Sequence, residues 1–312
     1  MNRLVRALKR SLINFKRARF TRDHKVGQHV IALPPGHLLD TYQDSFTHYD
    51  KQLPLMVALL AKQHPDVVVV DIGANVGDGL AAIRGCSHVK VVCVEGVQSY
   101  FDLLCANAKR VGGDNVLLNC FVGAQRGTVG VHEVEVGKGT GRLRHFRESS
   151  PALQSGAPNN VVLLADVGVR ADIENRPWFL KIDTDGGDFG IIRGNIDTIA
   201  KTTRAIFFEY DPALAEVSGV ETVNELAAIG FNHFLLFDNF GNALGLVTAQ
   251  HADRFRELDS YLQSCRLGGG GAYYIDVLAL RGEHEHFSRE LFEAAINPNE
   301  ALAKVSRELV AS

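Results

Sequence analysis

Residues Asp66–Gly79 read DVVVVDIGANVGDG, and this stretch decides the fold. The valine run is typical of a strand that is buried on both faces of a parallel sheet. The glycines that follow Asp71 predict a tight turn, because glycine adopts backbone angles that other residues avoid. A helix that includes Gly79–Ile83 would then present free N–H groups to a ligand. The sequence therefore predicts a strand, a ligand-binding turn and a helix.

The alternation of apolar β-branched runs with helical segments continues along the chain. Strands are predicted at Val89–Val94, Val116–Val122, Thr128–Val136, Val161–Leu164, Trp178–Ile182, Ala205–Phe208, Phe231–Phe237 and Ala272–Leu280. Helices are predicted at Leu53–Ala61, Gln98–Val111, Phe189–Ala200 and Val220–Ile229, with two more in the tail after residue 283. This pattern indicates an α/β fold with a mostly parallel sheet covered on both faces.

The turn after Asp71 differs from the common phosphate-binding turns. It lacks the G-x-G-x-x-G of dinucleotide sites, and no lysine follows Gly77 as a P-loop requires. An acid at the strand end suits a cation-bearing ligand better than a pyrophosphate. Glu95 ends the next strand, where an acid commonly takes ribose hydroxyls. Asp71 and Glu95 together favour S-adenosylmethionine as the ligand. The alternative is that the glycines form a plain strand-to-helix turn and that Glu95 is a surface carboxylate.

Three segments resemble the FkbM-type S-adenosylmethionine-dependent methyltransferases: VVDIGANVGDG, VVCVEG and FLKIDTDGGDFGIIRGN, within about Asp66 to Glu209. The resemblance implies a Rossmann-like class I methyltransferase fold with a seven-stranded sheet. It also implies methylation of a hydroxyl on a sugar, a glycan or another natural product. The cofactor contacts that it implies are Asp71, Gly73, Asn75, Gly77, Glu95 and the adjoining Gly96. Lys181, Asp183 and Gly186 fall on the third motif, whereas Asp185 and Asp188 replace two glutamates of the family.

The acids of KIDTDGGD follow a predicted buried strand and are expected to face the methyl donor. Methyl transfer requires the acceptor oxygen to be held about 3 Å from the methyl carbon and its proton to be removed. We expect Asp183 to be the base or to orient the acceptor, with Asp185 and Lys181 also catalytic. The same acids could instead hold a divalent metal. Asp188 could cap the following helix.

Other functions fit the sequence less well. The octet fails as a calcium loop, since Asp188 stands where glycine is needed. Asp183-Thr184-Asp185 matches the D-x-D of metal-dependent glycosyltransferases, but that enzyme has no use for the Asp71 turn. A non-catalytic cofactor-binding or scaffold protein of the same fold is the main alternative. Glu209 at a strand end and Asp166 are weaker candidates for lining the pocket.

Charge is unevenly distributed along the 312 residues. Residues 1–25 contain nine Lys/Arg and one acid, whereas the remainder has an excess of acids and is a poor platform for nucleic acid. The basic segment has leucines at helical spacing, which is typical of a helix that packs on its own domain, on a second copy in a homodimer or on an anionic membrane. Five scattered cysteines and no long apolar run predict a cytoplasmic protein. We expect a basic arm and entry loop (1–50), a methyltransferase domain (51–282) and a helical tail (283–312).

Overall fold

The structure is a computed structural model, and it describes residues 19–128, 134–136, 141–143, 160–282 and 285–311. Most of the basic segment 1–25, the middle of the predicted strand Thr128–Val136 and most of the residues between that strand and Val161 lie outside this part of the chain.

Fifteen strands occur in the described residues. In chain order they are β1 (Arg22–Val26), β2 (His29–Leu33), β3 (Val68–Ile72), β4 (Lys90–Val94), β5 (Asn115–Leu118), β6 (Phe121–Val122), β7 (Gly127–Thr128), β8 (Val134–Val136), β9 (Gly141–Leu143), β10 (Asn160–Val162), β11 (Trp178–Ile182), β12 (Thr203–Tyr210), β13 (Phe231–Asp238), β14 (Ala243–Thr248) and β15 (Ile275–Arg281).

Eleven α-helices accompany them in the same residues. They are α1 (Leu39–Ser45), α2 (Gln52–Gln63), α3 (Asp78–Arg84), α4 (Gln98–Val111), α5 (Leu164–Ala171), α6 (Asp188–Gly194), α7 (Ile196–Thr202), α8 (Gly219–Ala228), α9 (Phe255–Gly268), α10 (Glu285–Ile296) and α11 (Pro298–Ala311). A 3₁₀ helix, Ala249–Arg254, precedes α9.

The main sheet has eight strands in the order β14-β13-β15-β12-β11-β3-β4-β5. β15 pairs antiparallel with both β12 and β13, and β14 pairs antiparallel with β13, whereas the other neighbours run parallel. The strand order reverses beside β3, because the chain adds β4 and β5 on one side and β11 and β12 on the other. The predicted α/β class I methyltransferase fold is confirmed, with one more strand than the seven expected.

The two faces of the sheet bury different sets of side chains. Val68 and Val70 of β3 face one apolar cluster with α5–α9, whereas Val67 and Val69 face a second cluster with α2, α3, α4 and α10. Since side chains alternate along a strand, Asp71 lies on the face of Val69. The same parity places Lys181 beside Phe179 and Glu209 beside Phe207, on that second face. The sheet thus brings polar strand ends together over one layer of helices.

Several predicted boundaries are wrong. The helix predicted at Phe189–Ala200 is interrupted at Asn195, which separates α6 from α7. The strand predicted at Val116–Val122 is divided between β5 and β6, which belong to different sheets. The loop predicted after Ile31 contains α1, and β14 and α9 have no counterpart in the prediction.

The tail helices pack on the domain. Phe287 and Leu291 of α10 are buried in the second cluster, and Val305 of α11 contacts Ala58 and Cys86. Within the described ranges, none of the helices combines the length and apolarity that spanning a bilayer requires.

Candidate functional site

A cavity of about 850 Å³ opens where the parallel strands end. Its lining includes Asp71 near the end of β3, Glu95 after β4, Asp183 after β11 and Glu209 of β12. These strands flank the point where strand order reverses, which is where open α/β sheets bind ligands. The size is within the range of small-molecule sites.

The turn after β3 is shaped by residues with left-handed backbone angles. Gly73 has φ of 78°, and a Cβ there would lie 2.0 Å from the carbonyl oxygen of Asp183. Asn75 has φ of 49°, and its N–H donates to Oε2 of Glu95 at 2.9 Å. Gly77, with φ of 85°, begins α3 and shapes the turn without lining the cavity. Glycine at position 73 therefore allows the β3 and β11 turns to meet.

Glu95 is held at the end of β4 by two backbone groups. Besides the bond from Asn75, its Oε1 accepts from the N–H of Val97 at 2.7 Å. Burial raises the pKa of Glu95 to about 7, although both backbone bonds favour the ionised form. A Cβ on the adjoining Gly96 would lie 2.3 Å from the ring of Phe121, so glycine lets this ring form part of the wall.

Lys181 connects two of the predicted acids. Its Nζ lies 3.0 Å from Oδ1 of Asp71 and 3.2 Å from Oδ2 of Asp183. Burial lowers the pKa of Lys181, but the charges of Asp183 and Asp71 outweigh this effect and raise the pKa well above its ordinary value. The side chain of Asp183 is 54% exposed and that of Asp71 is 1% exposed. Lys181 therefore stays protonated between a buried acid and an acid open to the cavity.

Asp188 supports the loop instead of facing the cavity. Its Oδ1 accepts from the N–H and the hydroxyl of Thr184, at 3.0 and 2.6 Å, and its Oδ2 accepts from the N–H of Glu209 at 3.0 Å. Burial raises the pKa of Asp188 to about 7. Asp185 has φ of 51° and lines the cavity. Asp188 thus fixes the loop after β11 against β12.

A second group of acids and tyrosines lies beyond Asp183, and all of its members except Asp276 line the cavity. We call it the acid–aromatic cluster: Asp50, Glu209, Asp276, Tyr49 and Tyr274. Glu209 and Asp276 are register partners on β12 and β15, so their side chains share a face of the sheet. Burial, followed by the charge of Asp183, raises the pKa of each well above its ordinary value. Burial and the charge of Asp78 raise the pKa of Asp50 to about 7.

The sequence did not reveal most of this cluster. Glu209 is a predicted candidate for lining the pocket, whereas Asp50, Tyr274 and Asp276 are not predicted at all. Side chains alternate along β15, so Asp276 lies on the same face of the sheet as Leu278. This alternation is the sequence pattern from which the position of Asp276 could have been predicted.

The segment before α2 forms one wall of the cavity, which was also missed. The ring of Phe46 stacks on Phe240 of the β13–β14 turn, with centroids 4.0 Å apart. Gln52 donates to the carbonyl oxygen of Gly241 at 2.7 Å. His37, which is 7% exposed, also lines the cavity, and burial lowers its pKa. The predicted entry loop is thus part of the site.

The structure brings most of the predicted site residues into one cavity. Those that line it are Asp71, Gly73, Asn75, Glu95, Gly96, Lys181, Asp183, Asp185 and Glu209. Asp166 does not: it pairs with Arg126 at 2.9 Å and accepts from the N–H of Leu163, at the start of α5. In the described ranges, no three His, Cys, Asp or Glu side chains are grouped to hold a metal ion.

Comparison with a family model gives a match to the methyltransferase FkbM domain over residues 71–266. None of the curated proteins matches the chain. Similar solved structures include an O-methyltransferase from Bacillus cereus with S-adenosylhomocysteine, at 11% identity over 73% of this chain and 80% of that chain, TM-score 0.37. M. jannaschii TYW2 with AdoMet shares 12% identity over 84% and 86%, TM-score 0.35. The plantazolicin methyltransferase BpumL with SAH shares 7% over 89% and 99%, TM-score 0.36. Similarity this low carries no conclusion about activity.

Proposed function

Because this chain belongs to the FkbM methyltransferase domain family, we propose that it transfers a methyl group from S-adenosylmethionine to a hydroxyl of a sugar, a glycan or another natural product. The observation that carries the proposal is the convergence of Asp71, Glu95 and Asp183 on one cavity. Lys181, paired with both Asp71 and Asp183, fixes the relative positions of two of them.

The residues present fit the cofactor. Apart from Lys181, no hydrogen-bond donor among the described residues reaches the carboxylate of Asp71, although it is buried. That carboxylate suits the ammonium of a methionyl group. Each oxygen of Glu95 takes one backbone N–H and keeps a lone pair for a ribose hydroxyl. When bound, S-adenosylmethionine supplies an electrophilic methyl group on a sulfonium.

Asp183 is the residue that we assign to the acceptor. As the more exposed partner of Lys181, it can accept a hydrogen bond from the acceptor hydroxyl and receive its proton while the oxygen–carbon bond forms. Lys181 holds the carboxylate of Asp183 in position, with its Nζ 3.2 Å from Oδ2. Asp188 holds the loop after β11, and with it Asp183, in place.

Calorimetry with S-adenosylhomocysteine tests the donor site. We expect binding to the folded wild-type protein, and no detectable binding would remove the proposal.

The Asp183→Asn variant should bind S-adenosylhomocysteine with unchanged affinity but lose methyl transfer. Asp253→Asn, at an exposed position that does not line the cavity, is the matched control. Loss of transfer in the control alone, or full transfer by Asp183→Asn, would contradict the assigned role.

We also propose that the protein acts in the cytoplasm and that residues 1–25 contact an anionic membrane surface. The nine Lys/Arg of this segment support the proposal. Co-sedimentation of the full chain with vesicles containing phosphatidylserine, but not with phosphatidylcholine vesicles, is expected. Equal sedimentation with both would contradict it.

A further inference from the structure

The lining of the cavity is strongly unbalanced in charge. Among the described residues, Lys181 is the only Lys or Arg in the lining, and it already faces Asp71 and Asp183. The carboxylates of the lining are Asp50, Asp71, Asp78, Glu95, Asp183, Asp185, Glu209 and Glu216. The proposed function assigns Asp71 and Glu95 to S-adenosylmethionine. The remaining excess of negative charge therefore lies in the rest of the cavity.

Two of these carboxylates, Asp50 and Glu209, belong to the acid–aromatic cluster, and Asp276 lies next to Glu209. Within the described part of the chain, no Lys or Arg pairs with the carboxylate of Glu209 or Asp276. The two acids are directly opposed on antiparallel strands, an arrangement that is destabilising for like charges. After burial, the charge of Asp183 is the main cause of the raised pKa of both. A cation in this part of the cavity would relieve the repulsion.

The aromatic members of the cluster suit the same kind of ligand. Burial raises the pKa of Tyr49 and Tyr274, so both are neutral phenols. The ring of Tyr49 lies 5.2 Å from that of Tyr42, and both line the cavity. Aromatic faces next to carboxylates attract ammonium groups. The rings are thus a second, independent feature that favours a cation.

We propose that the methyl acceptor carries a protonated amine beside its reacting hydroxyl, as amino sugars and amino alcohols do, and that the acid–aromatic cluster binds this amine. The proposal rests on the proposed function and narrows its substrate class. Asp183 would face the hydroxyl while Glu209 and Asp50 face the ammonium, and Asp276 would add negative charge next to Glu209. Phosphorylated and uronic-acid acceptors would meet uncompensated carboxylates at the same place.

Matched ligand sets test this without knowing the natural acceptor. One set is glucosamine, glucose and glucuronate, and the other is aminocyclohexanol, cyclohexanediol and hydroxycyclohexanecarboxylate. Binding of each to the full-length protein saturated with S-adenosylhomocysteine is measured by saturation-transfer NMR titration. We expect the amine to bind at least about tenfold more tightly than the neutral member in each set. The acid should bind most weakly.

Two variants locate the amine. Glu209→Gln and Asp50→Asn each remove one lining carboxylate and keep the side-chain shape, and each should reduce the preference for the amine by about fivefold or more. Asp253→Asn should leave it unchanged. An equal or stronger preference for the acid, no amine binding at millimolar concentration, or an unchanged preference in both cavity variants would overturn the proposal. Binding of S-adenosylhomocysteine is recorded separately. If this binding is absent, the proposed function fails. If it is retained and one of these contrary outcomes is observed, only the present inference fails.

Discussion

The ammonium of Lys181 lies 3.0 Å from the carboxylate of Asp71, and the two residues are register partners on the neighbouring parallel strands β11 and β3. The pair is therefore fixed by the sheet itself. Because Lys181 also reaches Asp183, the sheet register sets the position of an acid that opens to the cavity. The cofactor side and the acceptor side that we propose for the cavity share this lysine.

Replacing Lys181 by methionine should strongly destabilise the protein. The change leaves Asp71 buried without a counter-charge, and breaking such a pair typically costs about 3–5 kcal/mol. The free energy of unfolding from urea denaturation measures the loss. The double variant Asp71→Asn/Lys181→Met should recover most of it, since no buried charge remains. A double variant as unstable as Lys181→Met would show that the pair is not the cause.

Replacing Gly73 by alanine should disrupt the turn that joins β3 to the loop after β11. The new Cβ would lie 2.0 Å from the Asp183 carbonyl oxygen, in addition to the strain of a positive φ. Gly269→Ala is the matched control, because Gly269 has φ of 70° in the left-handed region and no atom within 4 Å of the added Cβ. The control should cost about 1 kcal/mol, and Gly73→Ala about 1–3 kcal/mol more. Urea denaturation checks both, and equal losses would contradict the expected collision.

The two aspartates that replace family glutamates should respond differently to restoration of glutamate. Asp188 is 1% exposed and its oxygens accept three hydrogen bonds, so the longer side chain of Asp188→Glu should cost about 1–3 kcal/mol by overpacking. Asp185 lines the cavity, and Asp185→Glu should change the unfolding free energy by less than about 0.5 kcal/mol. Thermal unfolding of the two variants side by side distinguishes them. Equal losses would mean that Asp188 has room that the structure does not show.

The stability of the ligand-free protein should fall as pH rises from about 4.5 to about 7. Burial raises the pKa of Glu95 from 4.5 to about 7, so the folded state binds this proton more tightly than the unfolded state. The stabilisation is present at low pH within this window and is lost as pH passes the folded pKa. One pKa unit corresponds to about 1.4 kcal/mol, so Glu95 accounts for roughly 3 kcal/mol. Asp50 and Asp188 act in the same direction.

Urea denaturation between pH 5 and pH 8 measures this dependence. Glu95→Gln should reduce the slope of the unfolding free energy against pH by an amount that corresponds to at most one bound proton. The exposed control Asp253→Asn should not change this slope. A wild-type protein that becomes steadily more stable up to pH 8 would contradict the expectation.

Local sequence predicted the parts of the fold that depend on local pattern. Helix Gln98–Val111 and strand Trp178–Ile182 have the predicted bounds, because each is a long periodic or continuous apolar run. The break at Asn195 has a tertiary cause: its amide contacts Leu164 and Gly123, which lie far away in the sequence. No local pattern contains that information.

The sequence also predicted the part of the site that lies at strand ends. It missed the part that depends on contacts between distant segments. Asp71, Glu95 and Asp183 each end a strand, and parallel strands bring such ends together, so their meeting followed from the alternation of elements. Asp276 lies next to Glu209 only because β15 inserts antiparallel between β12 and β13. The wall around Phe46 depends on a ring contact with Phe240, nearly 200 residues later.

The insertion of β15 also affects how the chain is completed during synthesis. Until Ile275–Arg281 leave the ribosome, β12 has an open edge, and β13 has no strand to join it to the sheet. Exposed apolar strand edges favour self-association. A nascent chain that stalls before this strand would therefore be a candidate for chaperone capture, although it already contains every motif of the family.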